Sequence, residues 1–194
     1  MPLHGSRSRV AHVRPERGQV LHFSEDPTIE RFEPHVAATA SDQTPYVWAV
    51  DDLRAPDYWF PRRCPRALAW VAPRTTDADR RLVLGPAATR VHVIEYAWLE
   101  RVRRARLFAY RFDAEDFEPY GDPAAPHAVV SRVHVRALGP PEPVGDLLQL
   151  HRRAGIELRL VDRIWPWWDV VVTTSVGFSG IRLANASPRR PDAP

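Results

Sequence analysis

Short segments rich in β-branched and aromatic residues recur between turn residues along this chain, at 19–23, 46–50, 67–72, 90–94, 106–112 and 156–161, with a hairpin-like stretch over 128–138. Helical patterns sit among them without strict alternation. Asp51 or Asp52 caps one over 53–60, whose Pro56 fits only in a first turn. A second, over 96–105, gathers Trp98, Leu99 and Val102 on one stripe, and a third, over 143–154, gathers Val144, Leu147, Leu148 and His151 and stops at Gly155. A last one opens at Asp162 or Arg163 and runs through Trp165, Trp167 and Trp168 to 172. Strands that outnumber helices and do not alternate with them predict an α+β domain with a largely antiparallel sheet rather than a doubly wound fold.

The 194 residues, 44% of them apolar, suffice for a single core. We expect a flexible arm over 1–17, one domain over 18–186 and a disordered tail over 187–194. All 27 basic residues are arginine, and the net charge of +3 lacks the large basic excess of sequence-independent phosphate binding, so nucleic acid ranks low among the expected partners. Cys64 is the single cysteine, which excludes an intrachain disulfide and a cysteine-based zinc site; no metal is expected. The opening residues carry no apolar signal core and no segment is long and apolar enough to span a membrane, so the expected location is cytoplasmic. No Rossmann glycine motif, Walker lysine loop, zincin motif or nucleophile elbow occurs.

The stretch Leu21-His22-Phe23-Ser24-Glu25-Asp26-Pro27 carries the strongest chemical statement. On a strand, alternation sends His22 and Ser24 to one face and Leu21 and Phe23 to the other, leaving one face to pack and one to hold a ligand. The competing reading makes His22 a satisfied sheet histidine and Ser24 to Pro27 plain turn chemistry. Tyr58, Trp59 and Phe60 serve the core or a pocket wall, with Tyr58 the choice for the wall. Arg62, Arg63 and Arg66 around Cys64 offer guanidinium forks to a phosphate or carboxylate, or form a solvated surface. Cys64 reads as a small buried side chain, and the three tryptophans as a packed cluster rather than a stacking platform.

The opening block, with Ile29, Phe32 and Pro34 behind it, Val47 to Asp51, Tyr58 to Arg62 and the closing Gly177 to Leu183, resembles an uncharacterised bacterial family over about residues 19–186. More distantly, the order of a strand ending in His-x-Ser, a second strand leading into a short helix, and a following tyrosine is similar to the ADP-ribosyltransferase-like fold. That resemblance implies a split sheet and a cleft for NAD or a related nucleotide. His22 would meet a ribose hydroxyl, Ser24 would help hold the nicotinamide end, Tyr58 would stack on its ring, and Arg62 would reach the pyrophosphate. The family's glutamate, which steadies the oxocarbenium-like sugar, falls on Ala128 here, and Glu157 is the candidate substitute as catalytic residue.

The resemblance therefore implies a domain that binds NAD as co-substrate and transfers ADP-ribose to an acceptor, or, as a variant, a 2′-phosphotransferase acting on RNA. The alternative is a non-catalytic member that binds a small metabolite or a protein, which the missing glutamate motif favours. A third reading, nucleic-acid binding, predicts a steep salt dependence of association.

Overall fold

The computed structural model describes residues 13–36, 43–121 and 126–190. Ten strands form there: β1 (Gln19–Ser24), β2 (Val47–Ala49), β3 (Arg66–Trp70), β4 (Arg90–Glu95), β5 (Phe108–Asp113), β6 (Glu118–Tyr120), β7 (Ala128–Ser131), β8 (Glu142–Pro143), β9 (Glu157–Val161) and β10 (Gly177–Ile181). They make three sheets, ordered β1-β5-β8, β2-β7-β6 and β10-β3-β4-β9. Every pairing is antiparallel except β4 with β9. With four short helices, α1 (Asp77–Asp79), α2 (Leu99–Arg104), α3 (Leu147–Arg153) and α4 (Trp165–Val171), the result is one mixed α+β domain.

The parallel pair has a simple origin. Between β4 and β9 the chain makes β5 to β8, α2 and α3, and α3 packs back against β9, so the crossover returns β9 in the direction of β4. The side chain of Asp146 starts α3 by accepting from the Leu148 and Gln149 N–H groups, and the residues that α3 buries are Leu147, Leu150 and His151. The two leucines join Trp59, Phe60, Leu68, Ile94 and Val102 in the largest apolar cluster, and the His151 ring packs on Trp59 and Phe60. A second cluster lies between the four-stranded sheet and α4, through Ala67, Val83, Val91, Ile164 and Val171. The third packs Phe32 edge-on against Tyr110 and Phe112 over β1 and β5.

The short sheet β2-β7-β6 is joined to β1 by a single bridge in which Leu21 and Val50 exchange both backbone hydrogen bonds, at 2.9 and 2.8 Å. Beyond that bridge the chain turns through Asp51, whose carboxylate accepts from the Arg54 N–H at 2.8 Å, into the 3-10 helix Ala55–Tyr58 with Pro56 in its first turn. This is the expected short helix, tightened to one turn. The stretch 128–138 yields a strand only as far as Ser131, after which a lone bridge ties Val135 to Phe32.

Two stretches of the expected termini are packed. Val13 is buried in the largest cluster and Arg14 donates to the Asp52 carbonyl at 2.7 Å. At the other end, the buried Glu95 carboxylate accepts from the Ser187 N–H and hydroxyl, at 3.0 and 2.9 Å, and from the Ile164 N–H at 3.3 Å. Arg189 forks onto Asp169 and covers the Trp165 ring. The remaining residues of the expected arm and tail, 1–12 and 191–194, lie outside the described ones. No helix among the described residues is long and apolar enough to cross a membrane.

Candidate functional site

A cavity of about 570 Å³ opens along the edge of β1, where β2, the Ala55–Tyr58 turn, the start of β3 and the end of β10 meet. Its size falls within the range usual for small-molecule sites, roughly 300–1,000 Å³. Phe23, Trp48, Tyr58, Phe60, Tyr120, Trp168 and Phe178 supply aromatic walls. The ionisable groups other than tyrosine that line it are His22, His35, His127, Arg62, Arg66 and Arg182, and no aspartate or glutamate among the described residues does.

His22 is held by Trp48, whose carbonyl oxygen lies 2.7 Å from Nδ1. A carbonyl can only accept, so Nδ1 carries the proton and a neutral ring presents Nε2 as an acceptor. Burial pushes this imidazole down to about 4, Arg62 and His35 add to the shift, and the Trp48 carbonyl opposes it. The ring packs edge-on against Phe32 at 5.0 Å, on the face of β1 opposite Leu21 and Phe23. Tyr58 packs on the Leu21 side, so the imidazole and the phenol reach the cavity from opposite faces of the strand, around its edge. Burial raises the Tyr58 phenol above its usual range, which keeps it a neutral aromatic wall.

Arg62 belongs to the turn that follows, closed by the Cys64 N–H donating to the Pro61 carbonyl at 2.9 Å and tied to the end of β1 by the Arg62 N–H donating to Glu25 at 3.0 Å. Its exposed guanidinium stands at the cavity mouth with no carboxylate partner among the described residues. His22, Tyr58 and Arg62 are thus brought together. Ser24 does not join them. It is buried, lines no part of the cavity, and its Oγ accepts from the Asp26 N–H at 3.1 Å, opening a turn in which Asp26 accepts from the Thr28 N–H at 2.8 Å. Glu157 lies at the start of β9, the edge strand opposite β10, three strand spacings or about 14 Å across the sheet. Its carboxylate is half exposed and pairs with Arg159 at 2.7 Å.

Sequence reasoning did not place His35, His127, Phe178 or Arg182 in a site, because they come from segments far apart in the chain. β10 brings two of them. It pairs with β3 from Gly177 opposite Trp70 to Ile181 opposite Arg66, and close approaches at positions 177 and 180 call for glycine. A Cβ on Gly177 would fall 2.2 Å from the Trp70 indole, and one on Gly180 would fall 2.5 Å from Leu183 and 2.8 Å from Trp168. With those approaches permitted, Trp168 closes over β10 onto the cavity and meets Phe178 edge-on at 5.7 Å. Arg182, directly after the strand, sits in the left-handed region at φ 56°, a conformation non-glycine residues adopt at a cost.

A profile described as a family of unknown function, DUF6886, matches residues 21–186. The chain belongs to this family. The match begins at β1 and ends beyond β10, so it takes in every strand that lines the cavity. No curated protein and no solved structure matches the chain.

Behind the cavity floor lies a second polar assembly. Asp57, 2% exposed, meets Arg90 through Oδ1 and Arg54 through Oδ2 at 3.6 Å, and both guanidiniums also cover the Trp70 ring. Burial alone would raise the Asp57 carboxyl, but the Arg90 guanidinium holds it below the usual carboxylate range. His151 Nδ1–H donates to the Leu147 carbonyl at 2.7 Å, so its Nε2 accepts from His92 Nδ1–H at 3.1 Å, and His92 Nε2 in turn accepts from Arg90 Nε–H at 3.2 Å. Both imidazoles are neutral in this chain of donors; burial lowers each, His151 to about 3. Cys64 is sealed nearby, its thiol pushed up to about 12 by burial, which removes it as a nucleophile near neutral pH. No grouping of three or more metal-ligating side chains occurs among the described residues.

Proposed function

We propose that the cavity binds a nucleotide-like ligand, aromatic at one end and anionic elsewhere, with NAD or a related nucleotide as its type, and that the protein acts as a binder. The observation that carries this reading is the convergence of His22, Tyr58 and Arg62 on one aromatic-walled cavity. An imidazole fixed as an acceptor suits a ligand hydroxyl, the aromatic walls suit a planar ring, and guanidinium suits a phosphate. The transfer chemistry of the ADP-ribosyltransferase resemblance needs a carboxylate at the sugar. Glu157 stands across the sheet from the cavity, so no transfer step is assigned to this chain.

The test is a thermal-shift titration of the full chain with NAD, ADP-ribose and nicotinamide, repeated with His22→Phe, which keeps the ring contact with Phe32 and removes the acceptor. A ligand at about one hundred times its Kd adds about 2.7 kcal/mol to stability. Saturable stabilisation by NAD or ADP-ribose, lost in the variant and unaccompanied by nicotinamide release, is the expected result. No shift with any of the three overturns the nucleotide reading, and steady release of nicotinamide overturns the binder.

A further inference from the structure

Arg66 is buried, at 3% exposure, yet no carboxylate of the described residues lies within ion-pair distance of it. Its Nε–H donates to the Asp57 carbonyl at 2.7 Å and its Nη1 to the Cys64 carbonyl at 2.9 Å. The Asp57 carboxylate, though on the same residue as one of these carbonyls, is already engaged by Arg90 and Arg54. Nη2 has no acceptor among the described residues, and Arg66 lines the cavity. The other sequestered arginines are treated differently. Arg54 and Arg90 face Asp57, and Arg111 forks onto Glu142 at 2.9 and 3.1 Å. A guanidinium withdrawn from water without a countercharge is costly, and two peptide carbonyls hold its orientation without cancelling its charge.

The surroundings of this group favour an incoming anion. Tyr58 and Phe60 lie 5.4 and 5.2 Å from the Arg66 guanidinium carbon, fixing its plane, and Arg62 and Arg182 line the same cavity. We propose that Arg66, with Arg62 at the mouth, forms an oxyanion subsite, so that the natural ligand docks a phosphate or carboxylate group on the open Nη2 side of Arg66. A fixed guanidinium offers such a group paired N–H donors, which a lysine ammonium on a flexible stem does not. This inference deepens the reading of the cavity as a nucleotide site and rests on it for the ligand's class, but the subsite is testable without it.

The experiment measures calorimetric binding of adenosine, AMP, inorganic phosphate and benzoate to the full chain, to Arg62→Gln and to Arg66→Lys. Circular dichroism checks the fold of Arg66→Lys, and Arg62→Gln, at an exposed position, keeps the test decisive if that variant unfolds. A charge-assisted hydrogen bond predicts AMP binding about tenfold or more tighter than adenosine, with the gap collapsing in the folded variants. Adenosine and AMP binding alike would overturn the subsite while leaving the nucleotide reading standing. Phosphate or benzoate binding that both variants weaken, with neither adenosine nor AMP bound, would sustain the subsite and overturn the nucleotide, and the stronger of the two anions would tell phosphate from carboxylate. Binding by none of the four would overturn the subsite.

Discussion

Asp57 and Tyr58 are neighbours in one turn of 3-10 helix, yet they belong to two regions with opposite electrostatics. On the Asp57 side, a carboxylate faces two guanidiniums, and from Arg90 a run of donors passes through the neutral His92 and His151 rings to the Leu147 carbonyl. On the Tyr58 side, three arginines and three histidines line a cavity to which no described carboxylate contributes. The first region holds its own countercharge, as buried guanidiniums require. In the second, Arg62 and Arg66 meet no carboxylate of the described residues, and that difference separates a structural network from the proposed binding site.

The comparison breaks first, and with the largest effect, at Asp57. Asp57→Asn leaves Arg54 and Arg90 buried against Trp70 without their countercharge, and chemical denaturation is expected to show a loss of about 3–5 kcal/mol. A loss below about 1 kcal/mol would mean that the guanidiniums do not depend on this carboxylate.

Acid tests the neutral histidines of both regions together. The folded values of His22, His92 and His151 lie below that of an unfolded histidine, so below pH ~6.5 the unfolded chain takes up the protons first. Stability is therefore full at neutral pH and falls with falling pH, each histidine contributing up to about 1.4 kcal/mol per pH unit. For His22 the loss continues until pH reaches about 4, and for His151 until about 3. A flat stability between pH 7 and 5, by urea titration at each pH, would contradict the neutral chain.

Arg66→Met should cost less than Asp57→Asn in the absence of ligand, about 1–3 kcal/mol, because it unmakes two hydrogen bonds to carbonyls without stranding a charge. An equal or larger loss would show that Arg66 is as fully compensated as Arg90. The smallest change is at Ser24. Ser24→Ala removes one turn hydrogen bond, worth about 0.5–1.5 kcal/mol by denaturation, and leaves ligand affinity at the cavity as it was. A loss of affinity would return the hydroxyl to the site.

Local pattern made much of the scaffold legible. β1, β2, β3, β4, β5 and β9 follow β-branched and aromatic runs, and α3 follows its stripe of Leu147, Leu148 and His151 and its Gly155 stop. β10 was not read as a strand because Gly177 and Gly180 dilute its propensity; those glycines serve Trp70 and Trp168 instead. Glu118–Tyr120 and Glu142–Pro143 are too short to show a period, and tertiary pairing alone makes them strands. In the site, His22, Tyr58 and Arg62 were accessible because they lie in two neighbouring blocks of sequence. Nothing local distinguishes Arg66 from Arg62 or Arg63. Their difference arises when β3 enters the sheet interior and takes Arg66 with it.

Glu95 has a consequence for how the chain reaches this state. It ends a central strand of the four-stranded sheet at 1% exposure, and its hydrogen-bond donors are the Ile164 N–H, before α4, and the Ser187 N–H and hydroxyl, after β10. Until that final stretch docks, a carboxylate in the interior lacks most of its donors, and every arrangement lacking the last segment is penalised. Ser187 therefore works as a keystone for the sheet that shapes the cavity, and a nascent chain gains the full stability of β4 only once residues about ninety positions later have been laid over it.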